Sequence, residues 1–183
     1  MYEVELKVAS QHEPVRERLD ELGAEFLGTV EQADTYYDAP HRDFAETDEA
    51  LRVRRETVDG EESAVITYKG AKVDAGSKTR EEIETAVGAG DDAAAIFESV
   101  GFDPAATVHK ERDRYGLDGY TITLDTVQGA GSFVEVEIEA EEIDAAREGA
   151  ADLLRDLDLD PDDQIRTSYL GLILADDESN AGE

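Results

Sequence analysis

Two segments of this chain alternate charged with aliphatic side chains, residue by residue: Glu3-Val4-Glu5-Leu6-Lys7 near one end and Phe133-Val134-Glu135-Val136-Glu137-Ile138-Glu139 near the other. Successive side chains of a strand point to opposite faces. Glu3, Glu5 and Lys7 therefore share a face against Val4, Leu6 and Val8, and Glu135, Glu137 and Glu139 share one against Val134, Val136 and Ile138. The ordinary reading is a half-buried strand with a solvated charged face. The more demanding one gathers carboxylates around cations. Two carboxylates about 4 Å apart repel by about 4 kcal/mol at an effective dielectric of about 20, so a cluster of them protonates or binds a hard cation.

Charge sets the chemical class. The formal net charge is -30, from 17 Lys+Arg against 47 Asp+Glu, and the acidic residues run through the whole chain. With ample aliphatic residues beside them, this reads as a folded protein kept soluble at very high salt rather than a disordered acidic segment. In molar salt the Debye length is about 3 Å, which screens the self-repulsion. The expectation is a halophile's cytoplasmic protein. Nucleic acid and anionic membranes are unsuitable partners, because both require basic surface. Cysteine is absent, so disulfides and thiolate metal sites are excluded. No signal peptide precedes the first strand and no apolar run is long enough to span a bilayer. The length fits one domain, taken as 1–175, with 176–183 as a loose acidic tail.

The chain reads as strands joined largely by hairpins. Residues 2–8 form a strand, and a helix follows from Glu13-Pro14 to Gly23. An extended stretch covers 26–38. The Leu51-Arg52-Val53-Arg54 strand leads through Asp59-Gly60 to a return strand over 63–69, and a mobile-looking loop over 70–76 precedes a strand over 78–87. A short helix spans 91–100. Strands over 107–115 and 120–127 flank Asp118-Gly119, and Gly129-Ala130-Gly131 turns into the acidic strand. A helix covers 141–157, Asp160-Pro161 breaks it, and a last helix covers 165–174. About eight antiparallel strands with helices between them make an α+β protein whose sheet can close into a barrel. If the helices pack outside, on the apolar faces, the charged faces meet inside.

The few basic residues are placed, not scattered. Lys7, Arg52, Arg54, Lys69, Arg80, Lys110 and Arg112 all fall on the polar side of strands. Arg114 shares a face with Lys110 and Arg112, and Arg80 shares one with Glu82 and Glu84. Arg presents a planar fork of donors and Lys a point charge, and both suit phosphate oxygens. The competing reading is cross-strand pairing with glutamate. The acidic set is Glu3, Glu5, Asp125, Glu135 and Glu137, with Glu82 and Glu84 secondary. Oxygen-only ligands favour Mg²⁺ or Mn²⁺ over zinc. Carboxylates on one wall and cations on another are what a metal–polyphosphate substrate requires. Tyr36, Tyr37 and Tyr68 read as packing, and His109 falls on the face opposite Lys110.

Glu3-Val4-Glu5-Leu6-Lys7 resembles the N-terminal Glu-x-Glu-x-Lys signature of the CYTH superfamily, the triphosphate tunnel metalloenzymes. Gln32-Ala33-Asp34-Thr35-Tyr36-Tyr37-Asp38, Leu51-Arg52-Val53-Arg54, Thr67-Tyr68-Lys69-Gly70, Lys110-Glu111-Arg112 and Leu124-Asp125…Glu135-Val136-Glu137 follow in that family's order. The resemblance implies an eight-stranded antiparallel tunnel, divalent metal on the acidic set, and a small-molecule triphosphate on the basic set, with Lys7, Arg54, Lys110 and Arg112 assigned to catalysis. Gly101-Phe102-Asp103-Pro104, the 107–112 and 124–135 blocks and Ser168-Tyr169 resemble the class IV adenylate cyclase branch, which makes cyclic AMP and pyrophosphate from ATP. Gly129-Ala130-Gly131 departs from that branch's Gly-Leu-Gly turn, and the Arg52/Arg54 pair is typical of the triphosphatase branches. Hydrolysis of tripolyphosphate, thiamine triphosphate or nucleoside triphosphates is therefore the alternative, and a non-catalytic polyphosphate-binding module the third reading. The resemblance also admits a homodimer.

Overall fold

The computed structural model describes residues 1–180, with side chains through Asp176. Eight strands run in the order β1 (Tyr2–Ala9), β2 (Glu25–Asp38), β3 (Ala50–Val58), β4 (Glu61–Lys72), β5 (Arg80–Val87), β6 (Asp103–Leu117), β7 (Tyr120–Val127) and β8 (Gly131–Ala140). Five α-helices accompany them: α1 (His12–Glu21), α2 (Phe44–Thr47), α3 (Gly90–Ser99), α4 (Ile143–Asp156) and α5 (Tyr169–Asn180). The strands close into a barrel in the order β1-β5-β4-β3-β2-β6-β7-β8, every pair antiparallel. The β1–β5 seam rests on the single register pair Glu3–Arg80, whereas β1 and β8 pair from Tyr2–Ala140 to Ala9–Phe133. Asp59-Gly60 and Asp118-Gly119 have positive φ throughout, the two-residue hairpin geometry that matches strand twist.

Alternation puts the apolar core outside the barrel. Leu6, Val8, Ile122, Leu124, Val134 and Val136 face outward and pack against Val15 and Leu19 of α1 and Ala150, Leu153 and Leu154 of α4. The spacing of Ala146, Ala150, Leu153 and Leu154 gives α4 one apolar stripe, and the opposite face is charged. A second cluster sets Val53, Tyr37 and Ile66 against Ala93 and Phe97 of α3. These helices pack outside, as expected.

The last helix differs from expectation. It begins at Tyr169, not Ile165, and its Tyr169, Leu170, Leu172 and Ile173 pack on Val108, Val127 and Phe133. Those three share strand parity with Lys110, Asp125 and Glu135, so α5 closes one end of the interior. The four residues before it are held extended by other bonds: Ile165 donates its N–H to the Lys7 carbonyl at 2.7 Å, and Lys7 Nζ donates to the Thr167 carbonyl at 2.5 Å. Residues 176–180 continue α5, where the sequence predicts a loose tail; 181–183 lie outside the described residues. The short helix α2 has no periodic signal, and it starts where the Asp43 carboxylate accepts from the Ala45 and Glu46 N–H groups at 2.8 and 3.3 Å. Among the described residues no helix is long and apolar enough to cross a membrane.

The outer cluster carries the fold's stability. Leu154→Ala, at a fully buried position, is expected to lower unfolding free energy by about 2–5 kcal/mol, and Leu174→Ala, at a site 48% exposed, by less than about 0.5 kcal/mol. Urea unfolding in molar KCl checks both.

Candidate active site

The inward faces of the strands carry ionised side chains, arranged as two arcs by the barrel order. β3, β2 and β6 supply Arg52, Arg54, Asp34, Lys110 and Arg112; β7, β8 and β1 supply Asp125, Glu135, Glu137, Glu3, Glu5 and Lys7.

On the first arc three cations converge on one carboxylate. Arg54 donates Nε and Nη2 to Asp34 at 2.7 and 2.8 Å, Arg52 donates Nη1 at 3.3 Å, and Lys110 Nζ lies at 3.6 Å. Burial alone would raise the Asp34 carboxyl, but the three cations hold it well below the usual carboxylate range. One carboxylate cannot neutralise three cations, and the strain falls on Lys110. Burial, with Arg112 and Arg54 nearby, pulls its ammonium down to about 7. Arg52 Nε is buried without a hydrogen-bond partner. This arc is short of negative charge and of acceptors.

Where the arcs meet, Arg112 donates Nε and Nη2 to Asp125 at 2.7 and 2.5 Å and Nη2 to Glu135 at 2.6 Å. Asp125 also accepts from the Tyr169 hydroxyl at 2.8 Å. The Tyr169 ring lies under two lysines, with Lys7 Nζ 4.2 Å and Lys110 Nζ 5.2 Å from its centroid. Burial, reinforced by Lys78, lowers the Lys7 ammonium to about 8.

The second arc is acidic. Glu3, Glu5 and Glu137 bring one carboxylate oxygen each within 4.8 Å of one another. Glu3 and Glu137 line a cavity of about 390 Å³. Burial, with repulsion from Glu3, Glu135 and Glu5, pushes the Glu137 carboxyl up to about 8 against the pull of Arg112. Glu5 is raised by burial and by Glu135, despite Lys78. Converging oxygen ligands, of which Glu5 and Glu137 are disfavoured as carboxylates, fit a hard divalent cation whose charge would relieve both penalties.

The remaining sequence-derived residues are distributed less simply. Lys69 pairs with Glu82 and lies 3.7 Å from Glu3, while Glu84 accepts from the Thr67 hydroxyl at 2.9 Å. Glu82 and Glu84 therefore serve neighbours on β4 and do not join the Glu3–Glu5–Glu137 group. Asp125 and Glu135 bind Arg112 and also stand apart from it. Arg80 does not join the other cations: it donates to the Asp48 and Gly70 carbonyls at 3.3 and 3.1 Å and lies 3.5 Å from the Asp48 carboxylate. Arg114 faces Glu56 at 3.8 Å.

Sequence reasoning assigned no role to Asp34 or Lys78. Asp34 alternates with Gln32 and Tyr36 on β2, so parity alone could have placed it inside. Lys78 opens the strand that the sequence predicts over 78–87, on the parity of Arg80, Glu82 and Glu84, but β5 starts at Arg80 and Lys78 lies in the connection before it. Its Nζ donates to Glu5 at 2.5 Å and lies 4.0 Å from Glu135.

Two measurements follow from this geometry. Arg112→Met strands Asp125 and Glu135 in the interior and is expected to lower stability by about 3–5 kcal/mol in urea unfolding. Glu137 binds its proton more tightly folded than unfolded, so its contribution is complete below pH 4.5 and is lost as pH rises through about 8. Between about pH 5 and 7, below the Lys110 transition, wild-type stability in chelator is expected to fall with pH, with a flatter profile for Glu137→Gln.

The comparisons agree with the barrel. MJ0240 of Methanocaldococcus jannaschii, provisionally named an adenylate cyclase, is 39% identical over 176 residues, covering 94% of this chain and 98% of that protein. The solved structure of PH1819 from Pyrococcus horikoshii superposes with a TM-score of 0.89 at 39% identity, covering 95% of this chain and 99% of that one. HpAC1 from Hippeastrum, described as an adenylyl cyclase candidate with a dominant triphosphatase activity, shares the fold at a TM-score of 0.70 and 18% identity, over 96% of this chain and 95% of its own. The CYTH domain model matches residues 1–169, and the chain belongs to the CYTH family.

Proposed function

We propose that this protein is a divalent-metal-dependent enzyme acting on a small-molecule triphosphate, and that its reaction is the class IV adenylate cyclase reaction, ATP to cyclic AMP and pyrophosphate. The observation that carries this reading is the polarised interior: Arg52, Arg54 and Lys110 crowd a single carboxylate on one arc, while Glu3, Glu5 and Glu137 converge on the other. An anion that also carries a divalent cation satisfies both arcs at once. Glu3, Glu5 and Glu137 would hold Mg²⁺ or Mn²⁺, with Asp125 and Glu135 in reach once Arg112 turns to phosphate. When bound, the metal neutralises phosphate charge as a Lewis acid.

The chain's own part is positioning and charge. Arg52, Arg54, Lys110, Arg112 and Lys7 offer guanidinium forks and ammonium charges to the phosphoryl oxygens, as an in-line displacement requires. In the cyclase reading the ribose 3′-oxygen displaces pyrophosphate at the α-phosphorus. The name of the M. jannaschii relative supports this reading. One observation favours a second. Arg52 and Arg54 both point inward to Asp34, the double-arginine pattern that the sequence shares with triphosphatase branches, which suits water attack on the terminal phosphorus. The strongly acidic net charge of -30 supports a small-molecule substrate and argues against nucleic acid.

The test is product chromatography in molar KCl with Mg²⁺ or Mn²⁺ and either ATP or tripolyphosphate. Cyclic AMP with pyrophosphate is expected. Orthophosphate from tripolyphosphate without cyclic AMP replaces the cyclase by the triphosphatase, and binding without product overturns both. Lys110→Ala is expected to lower kcat/KM by about 10²–10³-fold.

A further inference from the structure

The segment that carries Lys78 is built with unusual care for a connection. Asp74 accepts from the Gly76 N–H at 3.1 Å, the Ser77 hydroxyl at 2.6 Å and Arg147 of α4 at 2.8 Å. From the segment before α5, Arg166 donates to the Asp74 and Ser77 carbonyls at 2.7 and 3.1 Å, and Gln164 to the Gly76 carbonyl at 2.9 Å. The Lys78 N–H itself donates to the Glu5 carbonyl at 3.1 Å. The loop that the sequence presents as mobile is thus anchored to β1, α4 and the strap before α5. The side chain it delivers is an ammonium 2.5 Å from Glu5 and 4.0 Å from Glu135, with 12% of its surface exposed.

Glu5 belongs to the carboxylate group that fits a divalent cation, so the Lys78 ammonium and a metal ion would share one carboxylate. Two cations against one carboxylate repel, and the lysine, on a flexible stem, is the one that moves. After it leaves Glu5 the carboxylate beside it is Glu135 at 4.0 Å, which already accepts from Arg112, so an added polyanion offers it acceptors that no guanidinium shares.

We propose that Lys78 is a built-in counter-ion of the metal site: it neutralises Glu5 before metal binds and is released by metal to become a ligand of the substrate's phosphate. The proposal rests on the active-site reading above and adds to it a residue that couples metal occupancy to triphosphate binding. Lys78 opposes metal binding in the absence of substrate and favours substrate once metal is present. Its place beside Glu5 and Glu135, apart from the cations gathered at Asp34, sets it at the metal end of the bound triphosphate.

The experiment is calorimetric titration of substrate-free protein with Mn²⁺, comparing wild type with Lys78→Met, and with Lys78→Gln, which keeps a donor for Glu5 should the methionine variant fail to fold. Lys72→Met, whose ammonium pairs with Asp48 at 2.5 Å, removes one charge elsewhere and serves as control. Both Lys78 variants are expected to bind Mn²⁺ about tenfold more tightly than wild type, while Lys72→Met matches wild type. KM for whichever triphosphate the wild type turns over is expected to rise about tenfold in the Lys78 variants. Unchanged or weaker Mn²⁺ affinity in the Lys78 variants, beside a wild type that binds metal and turns over substrate, overturns the counter-ion proposal alone. A wild type that neither binds Mn²⁺ nor turns over a triphosphate overturns the active-site reading and this proposal together.

Discussion

Charge neutralisation inside the barrel is the constraint on which the rest of this structure depends. Effective desolvation penalties run to several kcal/mol per ion, and a buried charge survives only when paired and hydrogen-bonded. The interior meets that condition with Arg112 between Asp125 and Glu135, and with Asp34 among Arg52, Arg54 and Lys110. Such pairs contribute little net stability. Stability must come from elsewhere, which is why the apolar faces of β1, β7 and β8 turn outward and why α1 and α4 cover them. The helices supply a core that the barrel cannot contain.

Pairing inside is uneven, and the unevenness is the functional signal. A structure selected for stability alone would match each carboxylate with a cation. Here positive charge accumulates near Asp34, negative charge near Glu3, Glu5 and Glu137, and the least well matched lysine and glutamate, Lys110 and Glu137, are displaced toward their neutral forms. Arg52 Nε remains buried without an acceptor. The deficits on the two arcs are of opposite sign. Together they describe a metal-bound polyanion more closely than either does alone.

Much of this was legible because a strand has a period of two. Reading parity along β1, β3, β6, β7 and β8 places Glu5, Lys7, Arg52, Arg54, Lys110, Arg112, Asp125, Glu135 and Glu137 on the inward faces. Parity failed where the ladder is irregular. Arg80 shares parity with Glu82 and Glu84, but the register of β4 and β5 shifts between Lys69 and Lys72, which re-aims Arg80 toward Asp48 and Gly70. Lys78 has the parity of the predicted 78–87 strand but precedes β5, in a connection shaped by its own Asp74 and by Arg147, Gln164 and Arg166 from distant parts of the chain. The start of α5 was misjudged for a similar reason. Residues 164–167 have local sequence compatible with a helix, yet they bond to Lys7, Gly76 and Ser77.

The sequence by itself determined the strands, their two unlike faces, the Asp-Gly hairpins, the barrel and the inventory of charges within it. These follow from local geometry, because alternation and turn chemistry act over a few residues. Tertiary structure alone decided which charges meet: that Asp125 and Glu135 take Arg112, that Glu3, Glu5 and Glu137 are left to one another, and that Lys78 reaches Glu5. Partner choice depends on register and on which strands closure sets side by side. That information lies in contacts between segments that are separate along the chain, from 13 residues for Arg112 and Asp125 to more than a hundred for β1 and β8, and no pattern within one strand carries it.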